Sequence, residues 1–269
     1  MKYKVGFIGC GNMGGALLRA VIKNIGAENC CVSEKMPEKA EPFTSAGVTL
    51  LQMNELCLQS ECIFLAVKPQ VMGEVVSEIS RILPADSKTL FVTMAAGLEI
   101  ATIEKHLGRQ APVIRIMPNI PCSLGRGVLL YCYNDLVDAS AKADFLNYLD
   151  GVGLIDEITE DKIDAASVVS GCGPAFVYLF AEALSNGAAE CGLDKDKAVL
   201  YAINTLIGAA SIIENSTESI EALVNAVCSP KGSTIEGVDT LKNQNFEQTV
   251  KNAVHASFDR TKELKKISG

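Results

Sequence analysis

Histidine is almost missing from this chain: only His106 and His255 occur in 269 residues. One falls near the end of a short helical pattern, the other in mid-helix, and neither sits in a motif suited to a nucleophilic triad. HExxH, GxSxG and a Walker loop are missing too. "KGST" at 231–234 matches the Walker ending only superficially, because the order is inverted and the upstream glycine is absent. There is no long basic run, and 24 basic against 32 acidic side chains leave a formal net charge of -8. A nucleic acid or an anionic membrane is therefore disfavoured as a partner. The ten cysteines show no CxxC ligand spacing and only one adjacent pair, Cys30 and Cys31. Free thiols in a reducing compartment are expected, with no metal site. No run of about 18 uninterrupted apolar residues occurs, so no membrane span is expected. Lys2 and Lys4 before an apolar stretch mimic a signal peptide, but glycines, Asn12 and Arg19 interrupt it and no small-residue cleavage site follows. The expected location is cytoplasmic.

What is present has a clear rhythm. Through residue 160, short apolar runs (YKVGFIG, CCV, CIFLAV, TLFVTM, PVIRIM) alternate with amphipathic stretches. This α/β alternation predicts a parallel sheet with helices on its faces. Past "GLIDEITEDKID" the strand signals stop, and helices are expected at about 163–170, 175–190, 195–214, 219–226, 233–241 and 246–266. Seven of the nine prolines precede residue 150, in keeping with a change of architecture near 160. The expected domains are 1–160 and an all-helical 161–269. "FVYLFAEALSNGAAE" and "AVLYAINTLIGAASII" are apolar around most of their circumference, and such helices must be covered on every side. A domain of this size has little interior to spare, so a homo-oligomer built through the helical half is expected.

"GFIGCGNMGGAL" places Gly9, Gly11 and Gly14 in GxGxxG spacing, after a strand pattern and before a helical one. Gly9 suits a tight turn, Gly11 lets the backbone approach a pyrophosphate, and Gly14 allows close helix-to-strand packing. Gly9, Cys10, Gly11, Asn12, Met13 and Gly14 are thus candidate cofactor residues in a Rossmann-type domain. Glu34 lies twenty residues beyond Gly14, where an acid binds a ribose 2′-hydroxyl and favours NAD. Its neighbours Ser33 and Lys35 suit a 2′-phosphate, with Glu34 then a solvated surface acid; the residues leave both readings open. Three further segments end at the same expected sheet edge: Ala66, Val67, Lys68 and Pro69; Ala95, Ala96 and Gly97; and Met117, Pro118, Asn119 and Pro121. Small side chains and prolines there bring rigid backbone close to a flat ring. With no strong acid, base or metal motif in evidence, the hard step must belong to a cofactor, and hydride transfer is such a step.

Taken in order, FIGCGNMG, AVKP at 66–69, RIMPNIP at 115–121, SGCGPAF at 170–176 and SPKGSTIEG at 229–237 resemble the pyrroline-5-carboxylate reductase family from end to end. The resemblance implies a Rossmann domain followed by an all-helical dimerisation domain like the C-terminal part of 6-phosphogluconate dehydrogenase. It implies reduction of Δ1-pyrroline-5-carboxylate to L-proline with NADPH or NADH, and a homodimer able to build a higher ring. It places substrate on Gly232, Ser233 and Thr234, with catalytic roles for Ser233 and Thr234, the Thr234 hydroxyl near the imine nitrogen, and Ser229 shaping the approach. It further implies that Asn54 touches the cofactor, that Glu160 faces the substrate ring nitrogen, and that SGCGPAF breaks two helices beside the active site. Departures stand at Lys231, where glycine is usual, and Cys172, where serine is usual. The alternatives are another two-domain imine or β-hydroxyacid oxidoreductase and a non-catalytic dinucleotide-binding protein. The essential lysine of the β-hydroxyacid enzymes has no counterpart in "ASVVSGCGPAFVYL".

Overall fold

The computed structural model describes the backbone of residues 2–268 and side chains of residues 2–263. The first unit, Met1–Gly171 with the stretch from Phe258 onward, holds a single sheet. Its strands are β1 (Tyr3–Ile8), β2 (Cys30–Ser33), β3 (Thr49–Leu50), β4 (Ser60–Leu65), β5 (Leu90–Thr93), β6 (Val113–Met117), β7 (Gly127–Tyr133) and β8 (Gly153–Glu157). They lie in the order β3-β2-β1-β4-β5-β6-β7-β8. Its helices are α1 (Asn12–Ile25), α2 (Pro37–Thr44), α3 (Met53–Gln59), α4 (Pro69–Ile82), α5 (Ile100–Leu107), α6 (Ala139–Tyr148) and α7 (Glu160–Ser167). The first six strands are parallel, in the doubly wound order that reverses between β1 and β4.

Alternation along each central strand divides its side chains between two apolar layers. Cys62 and Phe64 of β4 face one layer with Val5, Phe7, Leu17, Val21 and Phe145, while Ile63 and Leu65 face the other with Met72, Val76, Ile79 and Ile103. Phe7 stacks on Phe64 across the β1–β4 pair, with centroids 4.5 Å apart and planes 11° apart. Both faces being covered, the strands read as continuous apolar runs, as parallel strands do. The helices follow their spacing: α1 buries Gly14, Leu17, Leu18 and Val21, and α4 starts on Pro69 and buries Met72, Val76 and Ile79.

One expectation needs correction. The sheet is not parallel throughout, because β7 runs antiparallel to β6, with Ile114 opposite Tyr133. The link from Met117 to Gly127 is a 3-10 turn, Ile120–Leu124, closed by Gly125 at φ 70°. That link is shorter than the dozen or so residues a parallel crossover needs. β7 and β8, unread as strands in the sequence, then pair in parallel through α6.

The second unit, Cys172–Ser257, is helical. It comprises α8 (Gly173–Glu190), α9 (Lys195–Asn215), α10 (Ile220–Val227), α11 (Ser233–Asn243) and the first part of α12 (Phe246–Ser268). Asp194 caps α9 by accepting from Lys197 N–H at 3.1 Å, and Ser219 caps α10 from Ala222 N–H at 3.1 Å. Phe180 packs on Phe246 with centroids 6.1 Å apart. In the single chain Tyr178, Leu179, Leu200, Tyr201 and Ile207 are exposed. Two helical stretches, Glu160–Glu190 and Lys195–Asn215, are long and apolar enough to cross a membrane by length and composition. The expectation of no such segment relied on uninterrupted runs, whereas these are apolar despite scattered polar residues such as Glu182 and Asn204.

Candidate active site

The strand register brings four loop starts to one edge of the sheet. Ile8 is level with Ser33 and with Leu65, and Leu65 with Thr93, so the residues after β1, β2, β4 and β5 leave the sheet side by side at its carboxyl end. Gly9 turns there at φ 92°, and a Cβ on it would lie 2.7 Å from the Ala66 carbonyl oxygen. A Cβ on Gly14 would lie 2.7 Å from the Ala66 Cβ and 2.8 Å from the Gly9 oxygen. The loop and α1 are therefore pressed onto the start of the β4–α4 turn, and side chains are excluded at both positions. Gly11 differs, since nothing lies within 4 Å of where its Cβ would be. Its outer face is open, and it stands at the N-cap position of α1, whose first N–H groups no side chain caps. An open glycine at a helix N-terminus, on a loop held by two packed glycines, fits the pyrophosphate of a dinucleotide.

Asn12 is exposed and Met13 half-buried in the first turn of α1, while Ser33, half-buried, lends its carbonyl to Gly9 N–H at 2.8 Å. Lys35 is exposed. Glu34 is not a freely solvated acid: one carboxylate oxygen accepts from Cys10 N–H at 2.9 Å and the other from Met36 N–H at 3.1 Å. Burial alone would raise its carboxyl, but the amides of Cys10 and Met36 and the Cys10 thiol outweigh burial and hold it below the ordinary carboxylate value. The Cys10 thiol, 3.6 Å from the same carboxylate, is pushed up to about 12 by burial and by that charge. It is an inert thiol. Around the same edge, Ala66 and Val67 are half-buried, Lys68 is exposed as the cap before Pro69, Gly97 turns at φ 76° between exposed Ala96 and buried Leu98, and Pro118 is buried. Asn54 is exposed in the first turn of α3, where its side-chain oxygen accepts from Glu55 N–H at 2.9 Å.

Two residues expected at ligands are engaged elsewhere. Asn119 is 7 % exposed, donates from Nδ2 to the Ser170 carbonyl at 2.8 Å, and accepts at Oδ1 from Val128 N–H at 2.9 Å. Glu160 Oε1 accepts from Ile100 N–H at 2.8 Å and pairs with Arg115 at 3.3 Å. Arg115, 1 % exposed on β6, also meets Asp164 of α7 at 2.6 Å. This ion cluster gathers two partly exposed carboxylates around a buried guanidinium. Its one signal in the sequence was a charge inside the apolar run "VIRIM". SGCGPAF likewise does not break the helix: residues Val168–Cys172 form a π-turn that leads from α7 into α8. Pro174 cannot donate to the carbonyl four residues back, which is that of Ser170, and the widened turn relieves the clash its ring would cause.

A second cluster lies in the helical unit. Gly232 N–H bonds the Ser229 carbonyl at 2.9 Å, with Pro230 second and Lys231 third in the turn. Lys231 has φ 60°, so the chain requires at this position the conformation that glycine adopts freely. A Cβ on Gly232 would collide with the Ser229 side chain and lie 3.0 Å from its carbonyl oxygen. α11 then opens at exposed Ser233 and Thr234, and no side chain caps it. Its first N–H groups, with the positive end of the helix dipole, suit a carboxylate.

Comparison with known proteins places both halves. A model described as pyrroline-5-carboxylate reductase dimerisation matches residues 160–264, and one described as NADP oxidoreductase, coenzyme F420-dependent, matches residues 4–97. The chain is 36% identical over 266 residues to pyrroline-5-carboxylate reductase 3 of Danio rerio, covering 98% of this chain and 92% of that protein. It is 34% identical over 270 residues to pyrroline-5-carboxylate reductase of Escherichia coli, covering 99% and 100%. Among solved structures, a pyrroline-5-carboxylate reductase from Coxiella burnetii superposes with TM-score 0.89 at 32% identity, covering 98% of this chain and 99% of that one. The Plasmodium falciparum pyrroline carboxylate reductase, solved with NADP bound, gives TM-score 0.88 at 30% identity over the same shares.

Proposed function

The chain belongs to the pyrroline-5-carboxylate reductase family, and from that premise we propose which of its residues carry the reaction. It is an oxidoreductase that converts Δ1-pyrroline-5-carboxylate to L-proline, the last step of proline synthesis, with NADPH or NADH as reductant. When bound, the reduced nicotinamide supplies the hydride. The protein must hold a carboxylate-bearing cyclic imine in place and keep a proton on its nitrogen, so that the ring C=N carbon is electrophilic.

Gly9, Cys10, Gly11, Asn12, Met13 and Gly14 hold the pyrophosphate by backbone. Ser33, Glu34 and Lys35 face the adenosine ribose, and Asn54, Ala66, Val67, Lys68, Pro69, Ala95, Ala96, Gly97 and Pro118 line the rest of the cofactor. Asn119 supports this edge from behind, through Val128 and Ser170. Gly232, Ser233 and Thr234 receive the substrate carboxylate on the N–H groups of α11, Thr234 orients the imine through its hydroxyl, and Ser229 shapes the turn. The observation that carries this assignment is the uncapped start of α11 behind a strained, tightly closed turn. Glu160 is assigned to Arg115 rather than to the ring nitrogen. By function, residues 1–160 are assigned to the cofactor and 161–269 to dimerisation and substrate, although the compact units divide later, between Gly171 and Cys172, and count the stretch from Phe258 onward with the first.

Self-association follows from the dimerisation match and from the apolar side chains α8 and α9 leave exposed. We assign those faces to a second copy, giving a homodimer able to extend to a higher ring, rather than to lipid. A monomer in analytical ultracentrifugation would refute it. All ten cysteines are free, which suits the reducing cytoplasm. The activity is tested by mixing purified protein with racemic pyrroline-5-carboxylate and each reduced nucleotide in turn. Consumption of reduced nicotinamide with formation of proline is expected, and its absence with both nucleotides would overturn the proposal.

A further inference from the structure

The position of Glu34 bears on which nucleotide this chain takes. Its carboxylate spans two loops, bonded to Cys10 N–H at 2.9 Å in the glycine loop and to Met36 N–H at 3.1 Å beyond β2. Ser33, just before it, accepts from Gly9 N–H at 2.8 Å, so the end of β2 and the glycine loop are tied together at two adjacent residues. An acid about twenty residues past the third glycine of such a loop stands beside the adenosine ribose. There, ribose hydroxyls can donate to the remaining lone pairs of a carboxylate. A 2′-phosphate, by contrast, brings up to two negative charges against an anion whose position is fixed. Swinging Glu34 aside would cost two charge-assisted hydrogen bonds and leave the part-buried Cys10 amide without its partner, while the exposed Met36 amide turns to water. Lys35 is exposed and Lys39 lies near enough to lower the Glu34 carboxyl, so both cations share their field with an acid already in place.

We infer that this enzyme prefers NADH to NADPH, and that Glu34, clamped between the Cys10 and Met36 amides, is the residue that discriminates. The inference rests on the reading of the first loop as the dinucleotide site, and its test is independent of the imine substrate. Two fragments serve as probes, ADP-ribose and 2′-phospho-ADP-ribose, titrated by calorimetry into the full-length protein. Wild type binds ADP-ribose more tightly by about tenfold or more at low salt, and the ratio narrows as salt screens the repulsion. Glu34→Gln and Glu34→Ser bring the two probes to within about threefold of each other, while Glu34→Asp keeps the wild-type order. Equal or tighter binding of the phosphorylated probe by wild type would overturn the inference, as would an unchanged ratio in both neutral variants. Should the neutral variants bind neither probe, the wild-type ratio and its salt dependence still decide. ADP-ribose selectivity in a protein that fails to reduce pyrroline-5-carboxylate would sink the proposed reaction and leave this inference standing.

Discussion

The side-chain amide of Asn119 donates to the backbone carbonyl of Ser170 at 2.8 Å, taking the place of the N–H that Pro174 lacks. Proline in a helix removes one i to i−4 bond and crowds the carbonyl that would have received it. The π-turn Val168–Cys172 relieves the crowding and Asn119 satisfies the orphaned oxygen. At its other end the same amide accepts from Val128 N–H at 2.9 Å, so one buried side chain serves a helix and a strand.

Asn119→Ala leaves the Ser170 carbonyl and the Val128 amide without partners, at about 1–3 kcal/mol for each buried group. Urea denaturation at fixed protein concentration should therefore show a loss above about 2 kcal/mol. Pro174→Ala restores an N–H that can reach Ser170, so in the double variant part of the loss returns. Equal losses with and without Pro174→Ala would mean that Asn119 does not stand in for the missing donor.

The strand–loop–helix at the N-terminus was legible in the sequence because each of its features is local. Glycine spacing, an apolar run and a 3.6-residue period lie within twenty-five positions, and β1, Gly9 and α1 follow from them. The helices of the second unit were equally plain from apolar periodicity, and the turn before α11 from Ser-Pro-Lys-Gly. Direction in the sheet was not legible at β7, where link length rather than strand character decides the pairing. Nor were the roles of Asn119 and Glu160, whose partners Ser170 and Arg115 lie 51 and 45 positions away. A polar side chain in a motif looks the same in sequence whether it faces a ligand or an orphaned carbonyl.

Lys231 supplies a test of strain. A residue with a Cβ at φ 60° costs roughly 1–2 kcal/mol against glycine, while glycine in the unfolded chain costs about 0.4–1 kcal/mol in return. Lys231→Gly should thus stabilise the protein by about 0.5–1 kcal/mol. Lys231→Ala keeps the strain and should leave stability nearly unchanged. Identical melting curves for the two variants would show that this turn stores no strain.

Cys10, Cys30, Cys57 and Cys132 are pushed up to about 12 and Cys31 to about 11, with burial the leading cause in each. Of the ten thiols only Cys172, Cys191 and Cys228 are not buried, so a disulfide reagent should titrate no more than three until denaturant is added. A thiol whose folded value lies above its unfolded value favours the folded state fully below the unfolded value, about 8.5, and loses that contribution as pH rises through the folded value. Stability should hold through neutrality and fall steadily above about pH 8.5. A flat stability profile to pH 10 would contradict the burial of these groups.

Thr234 is the residue on which the proposed chemistry turns. It sits exposed in the first turn of α11, one residue past Ser233, and in the proposed pose a carboxylate on the helix N–H groups would bring the adjoining imine within reach of its hydroxyl. The hydroxyl can donate or accept, so it can orient a protonated nitrogen without being ionised. Thr234→Ala should lower kcat by about a hundredfold, the lower range for a positioned proton-handling group. ADP-ribose affinity should stay unchanged, because the residues proposed to hold the cofactor lie in the other unit. Thr234→Ser keeps the hydroxyl and should recover most of the turnover. Full activity in Thr234→Ala would move the orienting role elsewhere, and loss of activity in the serine variant as well would assign Thr234 to packing through its methyl group.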